Sequence, residues 1–176
     1  MDKQVEFFMK EALFEARSAG QIDEVPIGAV VVKNGRIIGR GHNLREHLQE
    51  VTMHAEMIAI TEACQYLHSW RLEDCDLYVT LEPCMMCSGA ILNARIKNLY
   101  YGAPDPKAGA VDSLYHLLGD SRLNHQVDVH AGICATESSQ LLRTFFRRVR
   151  RQRKAARRRW RRQNPKLTGQ TGESSV

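Results

Sequence analysis

The sequence predicts an α/β sandwich built on a mixed sheet, and three observations support this. Apolar residues recur at helical spacing near the N-terminus, and a β-hairpin pattern follows them. Beyond the hairpin, short apolar runs typical of buried strands alternate with helical patterns. A chain of 176 residues, 43% of them hydrophobic, is long enough to bury the core of one such domain without disulfide bonds.

The first quarter of the chain supplies an amphipathic helix and the hairpin. Asp2 suits the N-cap of this helix, and Gly20 suits its C-terminal end. Asn34 and Gly35 join two apolar runs, and this dipeptide favours a two-residue hairpin turn because both residues tolerate left-handed backbone angles. The sequence therefore places one helix and two antiparallel strands in this region.

Helices and strands alternate in the rest of the chain. A second helix is expected from about Thr52 or His54 to Leu67, with Thr52 as a reasonable N-cap. Pro83 fits the first position of a later helix, where its missing N–H costs nothing. The remaining expected elements are a buried strand over 76–82, the later helix over 83–95, strands within 96–102 and 125–132, and a last helix from about 136 through 160.

Charge is divided unevenly along the chain. Residues 1–142 carry 12 Lys and Arg against 19 Asp and Glu, whereas residues 143–176 carry 13 Lys and Arg against a single acid, Glu173. We therefore predict a domain over residues 1–150 and an Arg-rich basic C-terminal extension over residues 151–176. The composition of the extension predicts that it is partly disordered.

Composition also predicts the compartment. No run of about 18 apolar residues is present, and the N-terminus lacks the apolar centre of a signal peptide, so neither a membrane span nor secretion is expected. Five cysteines, an odd number without a dense framework, are typical of a reducing compartment, where thiols are buried, metal-bound or catalytic. We therefore expect a cytoplasmic protein.

Two short motifs carry the chemistry. Cys84 and Cys87 lie three residues apart, so both sulfurs can reach one ion, although a redox pair or two core cysteines would show the same spacing. The segment from His54 to Glu56, taken together with Pro83 and the two cysteines, matches the pattern H-x-E…P-C-x-x-C of the zinc deaminases. The second motif raises the specificity well above that of a lone cysteine pair.

The residue types fit a catalytic zinc site. One histidine and two cysteines supply three ligands, and an open fourth position would hold a water whose pKa zinc lowers toward neutrality. His42, Cys64 or Cys75 remain alternatives that would close the fourth position and make the site structural.

Glu56 is the candidate proton carrier. Residues two apart do not share a helix face, so Glu56 is poorly placed to bind a metal beside His54 but can approach the attacking water. The alternative is a solvent-facing glutamate in a first helical turn, where the helix dipole favours negative charge.

Longer stretches resemble a known family over about residues 3–150. They are "EVPIGAVVV", "GHNLRE", "HAE", "SWRLEDCDLYVTLEPCMMCSGAI", "YGAPDPKAGAVDSL" and "NHQVDV". Through them the chain resembles the bacterial tRNA-specific adenosine deaminases of the cytidine-deaminase-like superfamily. The resemblance implies a three-layer α/β/α sandwich around a five-stranded mixed sheet, one Zn²⁺ per subunit and a homodimer. The implied activity is hydrolytic deamination of adenosine to inosine at the wobble position (34) of a tRNA anticodon.

The resemblance also implies roles for single residues. By matching position, His54, Cys84 and Cys87 are the zinc ligands and Glu56 is the proton shuttle.

The substrate contacts that the resemblance implies are spread over several segments of the chain. Asn43 matches an asparagine that hydrogen-bonds the target nucleoside, and Ile27 and Ala55 fall where the base pocket is lined. Asp105 and Lys107 fall in the loop that follows the splayed anticodon.

Two departures from the family pattern stand out. Val51 and Met53 occupy positions that are usually Pro and Ala, so the loop before His54 is expected to be repacked without loss of chemistry. The basic extension, which includes Trp160, continues where the family usually ends. It is either an RNA-binding segment that raises tRNA affinity or a solvated end that binds any polyanion.

Two other functions remain compatible with the motifs. A deaminase of free cytosine, cytidine or guanine would share the zinc ligands and the glutamate, whereas Asn43 and the "YGAPDPKAG" loop favour RNA. A zinc-stabilised RNA-binding module without catalysis is the other alternative.

Overall fold

A computed structural model of the chain describes residues 2–164. These residues divide into two compact units, with the boundary between Leu142 and Arg143. The predicted division at residue 150 stays a prediction. The predicted disordered end lies outside the described residues from position 165 onward.

The order of elements follows the predicted alternation. The helices are α1 (Lys3–Gln21), α2 (Arg45–Leu48), α3 (Ala55–Leu67), α4 (Met85–Asn93) and α5 (Ala135–Gln163). The strands are β1 (Gly28–Lys33), β2 (Arg36–His42), β3 (Cys75–Leu81), β4 (Asn98–Ala103) and β5 (Asp128–His130), and a single 3₁₀ turn covers Leu117–Gly119. The short helix α2 and the 3₁₀ turn were not expected from the sequence.

The five strands form one sheet in the order β2-β1-β3-β4-β5. Strand β1 runs antiparallel to both β2 and β3, whereas β3, β4 and β5 are parallel to one another. The sheet is therefore mixed and five-stranded, as the family resemblance implied.

Helices cover both faces of the sheet in the first unit. Val30 and Val32 of β1 pack in a cluster with Phe8 and Met9 of α1. The alternate residues of β1 pack in a second cluster with α3 and α4, which contains Ala29, Val31, Ala59, Ala63 and Ile91. Because side chains alternate between the faces of a strand, these two cores lie on opposite sides of the sheet. The predicted three-layer α/β/α sandwich is confirmed.

Two of the local patterns at the N-terminus are confirmed, whereas Gly20 lies inside α1, which runs to Gln21 and has Ile22 as its C-cap. Asp2 accepts a hydrogen bond at 2.9 Å from the backbone N–H of Gln4, which caps α1. Asn34 and Gly35 both have positive φ angles, of 51° and 73°. These are the angles that a two-residue hairpin turn requires.

Helix α3 begins beside His54, the later of its two predicted starts, and α4 begins two residues after its predicted start at Pro83. Thr52 is not the N-cap of α3; its carbonyl accepts a hydrogen bond from His54 at 2.8 Å, and His54 itself takes the N-cap position. Pro83 is not the first residue of α4, because its carbonyl accepts the N–H of Ala110 and the chain stays extended through Cys84. Both helices thus open directly after a candidate metal ligand.

Helix α3 lies unusually close to β2. A Cβ atom at Gly41 would collide with the carbonyl oxygen of Ala55, and one at Gly39 would collide with that of Ala59. Glycine is required here because the helix backbone touches the strand backbone. This contact fixes the first turn of α3 against the sheet.

Candidate active site

Three predicted ligands meet where α3 and α4 begin. His54 Nδ1 lies 3.7 Å from the sulfur of Cys84 and 3.6 Å from the sulfur of Cys87. Their three ligand atoms lie within 4.8 Å of one another. Cys87 is buried and the other two residues are half-buried, so the three side chains form a group that could hold a metal ion.

The alternatives for a fourth ligand have other partners. His42 Nδ1 lies 3.1 Å from a carboxylate oxygen of Glu15. The thiol of Cys64 donates to the carbonyl of Trp70, and that of Cys75 donates to the carbonyl of Glu73. Within residues 2–164, the metal-ligating group that the structure forms has three members. His42, Cys64 and Cys75 therefore do not belong to this group.

The two thiols differ strongly in acidity. A hydrogen bond from the Cys87 thiol, helped by His54 and opposed by burial, lowers the pKa of Cys84 to about 4. The same hydrogen bond, together with burial, raises the pKa of Cys87. The hydrogen bond to Cys84 raises the pKa of His54. Thiolate is the form of cysteine that binds metal, so the lowered pKa of Cys84 suits it as a ligand.

Glu56 is the second residue of α3 and is almost completely buried, with 4% of its surface exposed. Burial raises the pKa of its carboxyl group, while the nearby charge of His54 acts in the opposite direction. A solvent-facing first-turn glutamate is therefore excluded. The structure places a buried carboxyl group beside the ligands, able to hold a proton at higher pH than an exposed glutamate.

Asn43 lies buried at the end of β2 with its amide held in one orientation. Its backbone N–H donates to the carbonyl of Ile27 at 3.1 Å, and its side-chain amide N–H donates to Glu24 at 3.0 Å. Glu24 also accepts the backbone N–H of His47, and only 1% of its surface is exposed. Because the amide nitrogen faces Glu24, the side-chain oxygen of Asn43 is directed away from it.

Glu24 was not predicted as a site residue. It opens the family stretch "EVPIGAVVV", but its two hydrogen-bond partners lie 19 and 23 residues away in the sequence, so no local pattern connects it to them.

The other predicted contact residues fall into two groups. Ala55 is fully buried at the start of α3, and Ile27 packs against the core cluster that contains it. The Asp105 carboxylate accepts the backbone N–H groups of Lys107 and Ala108 at 3.0 and 3.3 Å, which shapes a turn and leaves the side chain of Lys107 exposed.

Glu82, which was not predicted as a site residue, connects the turn at Asp105 to the segment that carries the candidate ligand Cys84. Only 2% of its surface is exposed, and it precedes Cys84 by two residues. Burial acts to raise the pKa of its carboxyl group, but hydrogen bonds outweigh burial and lower it. The donors are the Ser113 hydroxyl and the backbone N–H groups of Asp105, Val111, Asp112 and Ser113. Residues 105–113 are thereby fixed against the end of β3.

Comparison with known proteins agrees with this geometry. The family described as MafB19-like deaminases matches residues 1–150. A tRNA-specific adenosine deaminase of Streptococcus pyogenes serotype M1 is 53% identical over 150 residues, which cover 85% of this chain and 88% of the relative. The one from Bacillus subtilis strain 168 is 51% identical over 154 residues, covering 88% and 96%.

A solved structure is similar over the same region. It comes from a study of A-to-I editing by tRNA:A34 deaminases, is 52% identical, and has a TM-score of 0.74. The match covers 77% of this chain and 99% of that structure. The chain therefore belongs to the MafB19-like deaminases and, among them, to the tRNA-specific adenosine deaminases.

Proposed function

We propose that this chain converts adenosine to inosine at the wobble position (34) of a tRNA anticodon by hydrolytic deamination. The observation that carries the proposal is the grouping of His54, Cys84 and Cys87 beside the buried Glu56, in a chain about half identical to tRNA-specific adenosine deaminases. The reaction adds water at C6 of adenine, breaks the bond to the exocyclic amine and releases ammonia.

The metal is zinc, one ion per subunit. Zinc bonds sulfur at about 2.3 Å and nitrogen at about 2.1 Å, so tetrahedral ligation places sulfur and nitrogen about 3.6 Å apart. The two sulfur-to-nitrogen distances at this site are 3.7 and 3.6 Å. The donor set of one imidazole and two thiols also favours zinc over magnesium or calcium, which prefer oxygen.

When bound, zinc supplies a Lewis acid that makes water a nucleophile at neutral pH. Glu56 takes one proton from the attacking water and delivers it to a ring nitrogen of adenine, and then passes the proton of the new C6 hydroxyl group to the amine, which leaves as ammonia. Its burial supports this role, because water-excluded surroundings strengthen its interaction with a charge that develops beside it.

Asn43, Ile27 and Ala55 orient the adenosine. The side-chain oxygen of Asn43 accepts a hydrogen bond from the nucleoside, since Glu24 occupies its amide nitrogen. Asp105 and Lys107 contact the flanking anticodon nucleotides, a role that suits the exposed turn next to the ligands.

The protein acts as a homodimer. Support comes from large apolar side chains that remain exposed in segments adjoining the site: Val51 (71% exposed), Met85 (57%), Leu114 (52%) and Tyr115 (49%). Large exposed apolar surfaces mark protein–protein contacts, and these side chains would contact the second subunit. Light scattering of the purified protein should give about twice the 20.0 kDa mass of the chain, and a monomeric mass would contradict the assignment.

The cytoplasm is the proposed compartment, since tRNA is the substrate and the five cysteines are all unpaired thiols. Among the described residues, no helix combines the length and the apolar character needed to cross a membrane.

One experiment tests the function against its alternatives. The zinc-loaded protein is incubated with a tRNA that carries adenosine at position 34, and separately with free cytidine, cytosine and guanine. Inosine in the tRNA supports the proposal. A product from a free base or nucleoside without inosine in the tRNA would establish the small-molecule alternative, and no ammonia from any substrate would favour a zinc-stabilised RNA-binding module.

A further inference from the structure

The C-terminal basic segment forms a helix with two distinct faces. Helix α5 continues without a break to Gln163, and residues 143–163 contain 12 Lys and Arg and no Asp or Glu. At 1.5 Å per residue these 21 residues form a rod about 30 Å long. The segment from residue 151 onward lies beyond the match to the deaminase family, so the family activity does not account for it.

One face of this rod is almost entirely cationic. Residues at spacings of three and four share a helix face. Arg151, Lys154, Arg158 and Arg162 follow this spacing and border a shallow surface groove together with Arg159. All of them are exposed. We name this set, Arg151, Lys154, Arg158, Arg159 and Arg162, the cationic face.

The opposite face offers little apolar surface. Phe145, Val149, Ala156 and Trp160 fall on it by their spacing, and between Arg150 and Gln163 Trp160 is its only large apolar residue. An amphipathic helix that binds a membrane needs a broad apolar face to bury among the lipid chains. The composition of this helix therefore favours a polyanion in water over a lipid surface.

The choice of cation points to phosphate groups on nucleic acid. Among the 12 cations of residues 143–163, 11 are arginines and one is Lys154. The planar guanidinium donates two parallel hydrogen bonds to a phosphate and also stacks on unpaired bases, which an ammonium group does less well.

The positive charges along the helix also repel one another. Like charges four residues apart destabilise a helix by a few tenths of a kcal/mol per pair. Six such pairs occur between Arg147 and Arg162, and the sequence of this segment contains no Asp or Glu. Phosphates bound along the cationic face would remove this repulsion, so binding should stabilise the helix.

We propose that the cationic face is a second tRNA-binding surface, which captures the substrate through its phosphate backbone and becomes more helical as it does so. This proposal rests on the proposed function, because that function identifies tRNA as the polyanion. The surface adds affinity and association rate, while the active site alone selects the adenosine.

The test uses the full-length, zinc-loaded protein and two matched variants. In the helix variant Arg151, Lys154, Arg158 and Arg162 are replaced by Gln, which has a similar helix propensity. In the control variant four exposed cations of the first unit, Lys3, Arg17, Arg36 and Lys97, are replaced by Gln. Both variants lose the same net charge, so a general charge effect would appear equally in each.

Three measurements decide the outcome. For the helix variant, the slope of log K for tRNA against log salt concentration should fall by about 3, since each lost phosphate contact removes about 0.7–0.9. Its KM for tRNA should rise at least about tenfold with kcat unchanged, and tRNA should increase the far-ultraviolet helical signal of the wild type but not of this variant. The control variant should resemble the wild type in all three.

Each contrary result has a distinct meaning. Equal slopes in the two variants would overturn the proposal. An altered slope with an unchanged KM would also overturn it, because the helix would then bind RNA outside the productive complex. Stronger binding to vesicles containing anionic lipid than to tRNA would assign the helix to a membrane. Absence of inosine from the tRNA in all three proteins would contradict the proposed function, whereas the salt slopes would still test the surface.

Discussion

Two buried glutamates flank the candidate metal ligands in opposite surroundings. Glu56 follows His54 by two residues, and Glu82 precedes Cys84 by two. Both are almost inaccessible to solvent, at 4% and 2% exposure. Glu82 accepts five hydrogen bonds, which lower its pKa, whereas burial raises the pKa of Glu56.

These different surroundings predict different roles, a structural one for Glu82 and a reactive one for Glu56. A carboxylate whose oxygens are saturated by fixed donors is held ionised and has no lone pair available to a substrate. A buried carboxyl group whose oxygens are not saturated by fixed donors gains a proton more readily and can transfer it. Proximity to the metal ligands alone would have assigned the same role to both residues.

The largest expected effect is on catalysis at Glu56. Replacement Glu56→Gln removes the proposed proton carrier but keeps the shape of the side chain, so inosine formation should fall by about 10²- to 10⁴-fold. Bound zinc, measured by elemental analysis, should stay at one per chain, and the melting temperature should not fall, because a buried amide carries no charge to desolvate. A loss of activity below tenfold would remove Glu56 from the mechanism.

Glu82→Gln should act on stability instead. The new amide group would point a donor at backbone N–H donors, which should lower the free energy of unfolding by about 2–4 kcal/mol. For a chain of this size, that change corresponds to a melting temperature lower by about 5–15 °C in calorimetry. If Glu82→Gln instead melted like the wild type and lost its activity as Glu56→Gln does, the assignment of the two roles would be reversed.

Glu24→Gln tests whether the buried Glu24 positions the side-chain amide of Asn43, the proposed contact to the nucleoside. Loss of the charge-assisted hydrogen bond should leave Asn43 free to rotate and lower kcat/KM by about 10- to 100-fold. In a double-mutant cycle, Glu24→Gln combined with Asn43→Ala should cost no more than Asn43→Ala alone. Additive losses would show that Glu24 acts independently of Asn43.

The smallest effect is expected at Met53, next to His54. Its backbone carbonyl accepts the N–H of Leu44 at 3.0 Å and its own N–H donates to the carbonyl of Glu50 at 3.3 Å, and alanine supplies both groups. Because the side chain is only half-buried, Met53→Ala should change kcat/KM by less than about threefold. A much larger change in tRNA editing would mean that the side chain itself shapes the site.

Patterns between near neighbours could be predicted from the sequence. The hairpin at Asn34 and Gly35 depends on two consecutive residues, and the ligand motifs depend on spacings of two or three. The five-stranded sheet followed from the family resemblance and the alternation of elements.

Contacts between distant segments could not be predicted in this way. The backbone donors of Glu82 lie 23 to 31 residues away, and the partners of Glu24 lie 19 and 23 residues away. The roles of Thr52 and Pro83 were mispredicted for a related reason. Hydrogen bonds accepted by their carbonyl groups keep the backbone extended as far as His54 and Cys84, so each helix begins only after that residue. Sequence spacing carries no information about which distant N–H groups converge on one carboxylate.

The close approach of α3 to β2 has a consequence for how this sequence can vary over evolution. Gly39 and Gly41 let the helix backbone rest on the strand backbone, so a side chain at either position would displace the helix that begins directly after His54. We therefore expect these two glycines to vary less among related sequences than the loop residues Val51 and Met53, which make no such backbone contact with the strand.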